Sequence, residues 1–346
     1  MSNNPSSVRP PEPAMMLPSE ILHNSVELPH KPGAQIHYSI ARPDEIDTSP
    51  VLVVFLNGLM SDKATWLPVM AGVIRQQKAA ATPFSSWPTM LAYDRYGQGL
   101  TSDTDPKDKG QEQGRGHDVK DAAMDLHYLI NEVNMQSKPK IVLVANSIGC
   151  AIARLFAHEH SVAAILMLDS IVANSDFDFW PNPDAPDFRP SMLPEDMTIE
   201  QLREQRMKFA AIFAPDVKNK EGLDRRSLSR LLPYSDRPML GQAGNRPWIT
   251  VVGHDFQRFA EESLRAMGTP ISLTMRYSNA LWHRYNQGLA KLTDPELSEG
   301  PFQAEGCGHF IQKDDPKFVI THLLDLLVKV KRTTHPSGAT TSWLKV

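Results

Sequence analysis

Runs of consecutive apolar residues recur along the chain, and small or polar residues end each run. The runs lie within residues 51–58, 90–99, 140–147, 162–170 and 246–255. A short apolar run between turn-forming residues is typical of a strand that is buried on both faces of a sheet. The alternating residues 34–41 predict one further strand, and the segment 300–310 predicts a short last strand.

Other segments repeat their apolar residues every three or four positions, which predicts helices. They are residues 116–134, 148–160, 259–267, 275–292 and 316–332. Buried strands that alternate with helices predict an α/β fold, with a mostly parallel central sheet that is flanked by helices on both faces.

The alternation of strands and helices breaks off at residues 171–245, which are rich in proline at first and amphipathic later. A helical insertion between two strands of a sheet usually forms a cap or lid over a site. We therefore predict a core of residues 21–170 and 246–335, with residues 171–245 as a helical cap. Residues 1–20 are predicted to be a flexible N-terminal arm, and residues 336–346 a C-terminal tail.

Composition narrows the class of protein. The 346 residues are 41% hydrophobic and 22% charged, with a net charge of −4, which suits a globular core and provides no basic surface for nucleic acid. No apolar run reaches the roughly 18 residues that are needed to span a bilayer. The first residues do not resemble a secretory signal. We expect a cytoplasmic protein that binds no nucleic acid and does not span a membrane, and the sequence leaves a homodimer open.

Ser147 directly follows a predicted buried strand and precedes a predicted helix. Its neighbours fit the nucleophile-elbow pattern Gly-x-Ser-x-Gly, except that Ala145 takes the place of the first glycine, while Gly149 is the second. The small residues of this pattern permit a strained turn that exposes the serine hydroxyl at the sheet edge. A serine that merely caps the helix would give the same pattern, so the motif alone leaves both interpretations open.

A serine hydroxyl needs a general base to act as a nucleophile at neutral pH. His309 is the candidate, because its glycine-rich segment GCGHF lies after the last predicted strand and before the closing helix. His254 is the alternative base and is otherwise expected to be a histidine in a solvated loop. An oxyanion hole needs two backbone N–H groups, which we assign to Leu59 and Ile148, while Gly58 would let the backbone approach the substrate closely.

These segments together resemble the α/β-hydrolase fold family of serine hydrolases, over residues 35–330 outside the insertion. LNGLMSD is similar to the family's His-Gly loop, with Asn57 where histidine is commoner, and YDRYGQGLTS is similar to its Asp-x-x-Gly-x-Gly-x-Ser turn. In that turn Arg95 is expected to be structural. ANSIG resembles the elbow, and GCGHF resembles the loop of the catalytic histidine. The resemblance implies a Ser-His-acid hydrolase that needs neither a metal nor another cofactor.

The acid of the triad stays open between two aspartates, each at the end of a predicted strand. Asp255 lies in the position that the family uses more often, but it directly precedes a predicted helix and could be its N-cap. Asp169 could equally bind backbone amides at its strand end. The overall plan, with a cap after residue 170, is also similar to lactonases and esterases that open macrocyclic lactones such as zearalenone. That similarity favours Asp169, which we take as the acid, with Asp255 as the alternative.

The expected function is hydrolysis of a carboxylic ester or lactone through an acyl-enzyme, with a bulky apolar small molecule as substrate. The candidate pocket residues are bulky apolar side chains. Trp180, Met192, Phe209 and Phe213 belong to the predicted cap and could also form only its own core, and Trp282 lies near the loop of His309. A C–C bond hydrolase or a peptidase could use the same triad, and a non-catalytic binding protein could share the fold. An epoxide hydrolase or haloalkane dehalogenase would need an aspartate in place of Ser147.

Overall fold

The computed structural model describes residues 17–43, 50–79, 87–133 and 138–332. Most of the predicted N-terminal arm and the whole of the predicted C-terminal tail, residues 336–346, therefore lie outside the described residues. No helix in the described ranges has both the length and the apolar character that crossing a membrane requires.

Eight strands of the described residues form one sheet. They are β1 (Ile21–Glu27), β2 (Gln35–Ala41), β3 (Val51–Leu56), β4 (Thr89–Tyr93), β5 (Lys140–Asn146), β6 (Ala164–Leu168), β7 (Trp248–His254) and β8 (Ser298–Ala304). Their order in the sheet is β1-β2-β4-β3-β5-β6-β7-β8. The pairs β1–β2 and β2–β4 are antiparallel, and the other neighbours are parallel. The prediction of a mostly parallel sheet is confirmed.

Helices cover both faces of this sheet. The α-helices of the described residues are α1 (Leu67–Ala79), α2 (Val119–Glu132), α3 (Ile148–Glu159), α4 (Ile199–Phe213), α5 (Leu228–Leu231), α6 (Phe256–Met267), α7 (Ile271–Leu273), α8 (Asn279–Leu289), α9 (Ile311–Asp314) and α10 (Pro316–Arg332). One apolar cluster joins α1 and α10 to one face of the sheet. A second cluster joins α2, α3 and α8 to the other face. Burial on both faces explains why the central strands are continuous apolar runs.

Besides the short helices α5, α7 and α9, the pattern of apolar residues does not predict β1 and α1. Ile21 is the only residue of β1 that is buried, since β1 is an edge strand and has no apolar face to reveal it. In α1 the six consecutive residues 69–74 are all buried. A helix that is buried all round shows no period of 3.6 in its sequence, so the usual signal is missing.

Residues 171–245, all of which are described, contribute no strand to the sheet and contain α4 and α5. Glu221 of this segment accepts hydrogen bonds from the side chain of Arg95, after β4, and from the N–H of Met60, after β3. The segment therefore contacts the loops at the carboxyl edge of the sheet. That edge is where parallel α/β sheets place their ligand sites, because loops from strands far apart in sequence meet there.

We expect Gly149→Ala to destabilise the fold, because α3 approaches β3 too closely for a side chain at this position. A Cβ atom on Gly149 would lie 2.6 Å from the carbonyl oxygen of Leu56 and 2.9 Å from that of Asn57. Neither backbone atom can rotate away. Urea titration should show a loss of about 1–3 kcal/mol in the free energy of unfolding, as is usual for overpacking.

Gly72→Ala in α1 is the matched control. Its added Cβ would overlap the Cδ1 end of the buried Ile320 side chain, which can shift, whereas the contacts at Gly149 are to backbone that cannot. Alanine also favours a helix interior over glycine by about 0.5–1 kcal/mol, so Gly72→Ala should lose less stability than Gly149→Ala. A Gly149→Ala protein that unfolds at the same urea concentration as the wild type would contradict the close contact.

Candidate active site

Ser147 is the single residue that joins β5 to α3. Its backbone has φ 55° and ψ −123°, a combination that residues with a side chain avoid because it is sterically strained. Among the described residues, no N–H of α3 receives a capping hydrogen bond from the Ser147 side chain. The turn therefore has the geometry of a nucleophile elbow, and the alternative of a helix-capping serine finds no contact to support it.

Asn146, the last residue of β5, ties this turn to the loop that carries His309. Its Nδ2 donates to the carbonyl oxygen of His309 at 2.9 Å and to that of Leu168 at 3.1 Å. Its Oδ1 accepts from Gln312 at 3.3 Å. The sequence does not single out Asn146, although a polar residue at the end of a fully buried strand is a usable signal of such a role.

His309 forms a short hydrogen bond with Asp169, which directly follows β6. Nδ1 of His309 lies 2.6 Å from Oδ2 of Asp169. The His309 side chain is 25% exposed and that of Asp169 is 0% exposed. A partly open imidazole is thus held through one nitrogen by a buried carboxylate, which leaves Nε2 to act on a bound molecule.

Asp255 is bonded elsewhere. Its carboxylate accepts the backbone N–H groups of Gln257 at 2.9 Å and Arg258 at 3.0 Å, as the N-cap of α6. It also accepts the N–H of Gly306 at 3.1 Å, so it holds the start of the loop that carries His309. The structure brings Asp169, and not Asp255, into contact with the His309 ring.

The expectation that His254 is a solvated loop histidine is wrong. His254 is the last residue of β7 and is 1% exposed. Its Nδ1 lies 2.8 Å from Oδ1 of Asp169, and its Nε2 lies 3.1 Å from Oδ1 of Asn279. The sequence interpretation placed the end of β7 correctly but did not consider that its terminal side chain could turn inward.

The protonation of these groups follows from their contacts. Burial of Asp169 opposes its ionisation, but the charges and hydrogen bonds of His254 and His309 outweigh burial and hold the pKa of its carboxyl below the usual value. Burial of His254 opposes its charged form in the same way. The Asp169 carboxylate and the bonds to Asp169 and Asn279 outweigh it and raise the pKa of His254.

The loop after β3 lies against the Ser147 turn. A Cβ atom on Gly58 would lie 3.0 Å from Oδ1 of Asn146 and 3.3 Å from the Cβ of Ser147, so a larger residue would require these neighbours to shift. The Gly58 carbonyl accepts from Arg95 Nη2 at 3.1 Å and from Gln98 Nε2 at 3.0 Å. Since C=O and N–H point in opposite directions across a trans peptide, these bonds turn the N–H of Leu59 to the other side of the loop.

The buried ion pair of Arg95 and Glu221 binds the loop after β3. Glu221 accepts from Arg95 at 2.9 Å and from Gln98 at 2.7 Å, and it also accepts the N–H of Met60. The Arg95 and Glu221 side chains are 6% and 1% exposed. Arg95 is structural, as expected, and Glu221 is a residue that the sequence did not single out, because its partners lie more than a hundred residues earlier.

The predicted pocket residues of the insertion, Met192 apart, form one aromatic cluster. The Phe209 ring lies 4.5 Å from Trp180 and 4.6 Å from Phe213. Phe179 lies 5.4 Å from Phe209, edge to face. Met192 is not among the described apolar residues packed in this cluster, and its backbone carbonyl accepts a hydrogen bond from the Tyr277 hydroxyl.

Trp282 of α8 links this cluster to the charged groups. Its ring lies 6.0 Å from Phe179 and 6.2 Å from His254. Its Nε1 donates to the carbonyl of Ser170 at 2.9 Å, so it is anchored beside Asp169. The aromatic cluster therefore extends from the insertion to the buried carboxylate.

Both cysteine side chains are buried, and burial keeps their thiols protonated. Cys150 and Cys307 are free and buried. Burial raises the pKa of Cys150 to about 12 and that of Cys307 to about 11, so neither thiol ionises at neutral pH. Within the described ranges, no group of three or more His, Cys, Asp or Glu side chains could hold a metal ion.

A model of the Alpha/beta hydrolase family matches residues 53–321. The chain belongs to the alpha/beta hydrolase family. No curated protein matches the sequence.

Solved structures of several hydrolases resemble this alpha/beta hydrolase. The Cif epoxide hydrolase from Acinetobacter nosocomialis is 12% identical with a TM-score of 0.52, covering 90% of each chain. The epoxide hydrolase CorEH is 16% identical with a TM-score of 0.51, covering 90% of this chain and 100% of its own. The enol-lactonase from Burkholderia xenovorans is 14% identical with a TM-score of 0.49, covering 88% and 100%. At this level of identity, the likeness to the two epoxide hydrolases supports the fold alone.

Backbone strain in this alpha/beta hydrolase is concentrated around Ser147, His309 and the aromatic cluster. The non-glycine residues with positive φ in the described ranges are Met60, Ser147, Asp169 and Phe177. They lie in the loop after β3, in the elbow, beside His309 and in the aromatic cluster. Strain of this kind persists where surrounding contacts enforce it, and it is common at functional sites.

We expect Glu221→Gln to destabilise this alpha/beta hydrolase, because it leaves the buried Arg95 without a counter-charge. Removing one partner of a buried ion pair costs about 3–5 kcal/mol, measured as the free energy of unfolding in urea. Glu112→Gln is the matched control, since Glu112 is 61% exposed and pairs with an exposed lysine. It should leave the urea midpoint unchanged. Equal midpoints for the two variants would contradict the role of the Arg95–Glu221 pair.

Proposed function

We propose that this alpha/beta hydrolase is a serine hydrolase that cleaves a carboxylic ester or a lactone through an acyl-enzyme. The observation that carries the proposal is the 2.6 Å hydrogen bond between His309 and Asp169, beside the strained turn of Ser147. Nucleophile, base and orienting acid are the three parts that acyl transfer by serine requires.

Ser147 is the proposed nucleophile and His309 the proposed base. Because Nδ1 of His309 binds Asp169, Nε2 takes the hydroxyl proton as Oγ bonds to the substrate carbonyl carbon and the carbonyl electrons move onto oxygen. The tetrahedral intermediate then collapses and breaks the bond to the leaving oxygen, which takes the proton from His309. Water attacks the acyl-enzyme by the same route, releasing the acid and returning the proton to Ser147.

Asp169 is the proposed acid, and the alternative Asp255 is assigned a structural role. The depressed pKa of Asp169 keeps it ionised at neutral pH, so it can hold the His309 tautomer and stabilise the imidazolium that forms. The hydrogen bonds of Asp255 to three backbone N–H groups account for its position without any contact to His309.

The N–H groups of Leu59 and Ile148 are the proposed oxyanion hole. Arg95 donates to the carbonyl of Gly58, which belongs to the same peptide unit as the N–H of Leu59. A cation at that carbonyl oxygen polarises the peptide unit and makes its N–H a stronger donor. The N–H of Ile148 is the first of α3 and has no partner within the helix. Gly58 packs against the Ser147 side chain and Ile148 follows Ser147 directly, which supports these two N–H groups as the donors to the negative charge that develops on the carbonyl oxygen.

We propose that residues 171–245 act as a cap that selects the substrate. The aromatic cluster of Trp180, Phe209 and Phe213 with Trp282 supports a bulky apolar acyl or alkoxy group, since ligand sites are lined mainly by such side chains. The similarity to zearalenone-type lactonases stays a prediction. A panel of aryl esters and macrocyclic lactones of increasing size would test this preference.

We expect a fluorophosphonate probe to label the wild-type protein covalently at Ser147. Ser147→Ala should abolish labelling, and His309→Ala should slow it by about 10²–10⁴-fold, the usual contribution of a general base. The measurement is the labelling rate, followed by fluorescence after electrophoresis. Ser102→Ala, at an exposed serine, is the control and should label as the wild type does. Labelling of Ser147→Ala at the wild-type rate would refute the mechanism.

The fluorophosphonate labelling rate also shows whether Asp169 or Asp255 is the acid. Asp169→Asn should lower the labelling rate by about 10³–10⁴-fold, because His309 loses the carboxylate that orients it. Asp255→Asn should stay within about tenfold of the wild type, since an amide can still cap α6. The reverse order of rates would make Asp255 the acid.

A further inference from the structure

We propose that His254 is a positioning residue of the triad: a buried imidazolium cation that shares the carboxylate of Asp169 with His309. The inference rests on the proposed function, because it gives His254 its role through the proposed acid. In this arrangement Asp169 and His254 form an ion pair with no net charge.

The two oxygens of Asp169 are divided between the two histidines. Oδ2 accepts from Nδ1 of His309 at 2.6 Å. Oδ1 accepts from Nδ1 of His254 at 2.8 Å and from the His254 backbone N–H at 3.2 Å. A carboxylate held at both oxygens from opposite sides cannot rotate, so the His309 ring has one fixed partner.

Asn279 on α8 determines the protonation of His254. Its Nδ2 donates to the carbonyl of Phe256 at 3.0 Å and contacts the sulfur of Met275 at 3.2 Å. This leaves Oδ1 of Asn279, an acceptor, facing Nε2 of His254 at 3.1 Å. Nε2 must therefore carry a proton, and Nδ1 must carry another to donate to Asp169. Both ring nitrogens donate only in the imidazolium form.

Asp169 is the one carboxylate that directly contacts His254 among the described residues, and aromatic rings surround the rest of the imidazolium. The Phe259 ring stacks on it at 4.0 Å, and the rings of Phe256 and Trp282 lie 5.9 and 6.2 Å away. Among the described residues, the carboxylates that act on His254 are Asp169 and, more weakly, the adjacent Asp255, with His309 on the far side of Asp169. A cation in an aromatic enclosure depends on its one direct counter-ion.

The consequence for the site is electrostatic as well as geometric. A lone carboxylate favours a protonated histidine beside it. With His254 already protonated, the charge of Asp169 is largely cancelled, so the His309 ring faces much less negative charge than a lone carboxylate would present. The pair also keeps Asp169 ionised in a place where burial alone would protonate it.

The charge of His254 can be measured in the resting protein without any substrate. In ¹⁵N-histidine-labelled wild-type protein at pH 7.5, one buried histidine should show two protonated ring nitrogens, and its signals should be absent from His254→Asn. Assigned signals with one protonated and one bare nitrogen would overturn the proposal.

The effect on the triad appears in the pH dependence of fluorophosphonate labelling. His254→Asn keeps a hydrogen-bond donor but removes the positive charge. The midpoint of the acidic limb, the pH at which the labelling rate falls to half on the acidic side, should therefore rise by about one unit, which is the effect expected of a single charge a few ångströms away. His283→Gln, at an exposed histidine on α8, is the control and should leave the limb in place. A lower rate with an unmoved limb would mean that His254 is only structural and would overturn the proposal.

Asn279→Leu provides a second variant that leaves His254 in place. It removes the acceptor at Nε2, favours neutral His254 and should move the limb in the same direction by a smaller amount. A limb that does not move in Asn279→Leu, with His254 still doubly protonated, would contradict the assigned role of Asn279. A wild-type protein that is not labelled at all would instead refute the proposed function, while the ¹⁵N spectrum would still decide the charge of His254.

Discussion

Burying an ionised carboxylate costs several kcal/mol or more unless opposite charge and hydrogen bonds replace its water. Asp169 is completely buried, so its charge depends on His254 and His309, one at each oxygen. The requirement draws together the ends of β6 and β7 and the loop after β8. The strained backbone of Asp169, with φ 42°, persists because these contacts hold it.

A second buried charge pair supports the opposite side of the same site. Arg95 and Glu221 fix the loop after β3 through its carbonyl groups, while Asp169 and His254 fix the His309 side. Ser147 lies between the two, in a turn that the close contact of α3 with β3 enforces. Reactive groups held by rigid contacts need no rearrangement as charge develops, which is the condition for electrostatic stabilisation of a transition state.

Asp169 and Asp255 each follow a buried strand, but they form different hydrogen bonds. Asp169 turns back toward its neighbouring strand and meets two imidazoles. Asp255 meets the free N–H groups at the start of α6, which attract a carboxylate there. The helix N-terminus satisfies Asp255 locally, so only Asp169 is left to pair with the histidines.

The sequence by itself determined the central strands, the long helices other than α1, the position of Ser147 between a strand and a helix, and that of His309 in the loop after the last strand. Those features follow from local burial periodicity and from turn residues, which act over a few positions. The tertiary structure alone decided the pairing of charges. Asp169 lies 85 residues from His254 and 140 from His309, so no local pattern shows that it meets these two imidazoles. The inward turn of His254 and the reach of Glu221 to Arg95 are likewise set by which strands and loops become neighbours, because a buried charge can be balanced only by groups that the fold brings within a few ångströms of it.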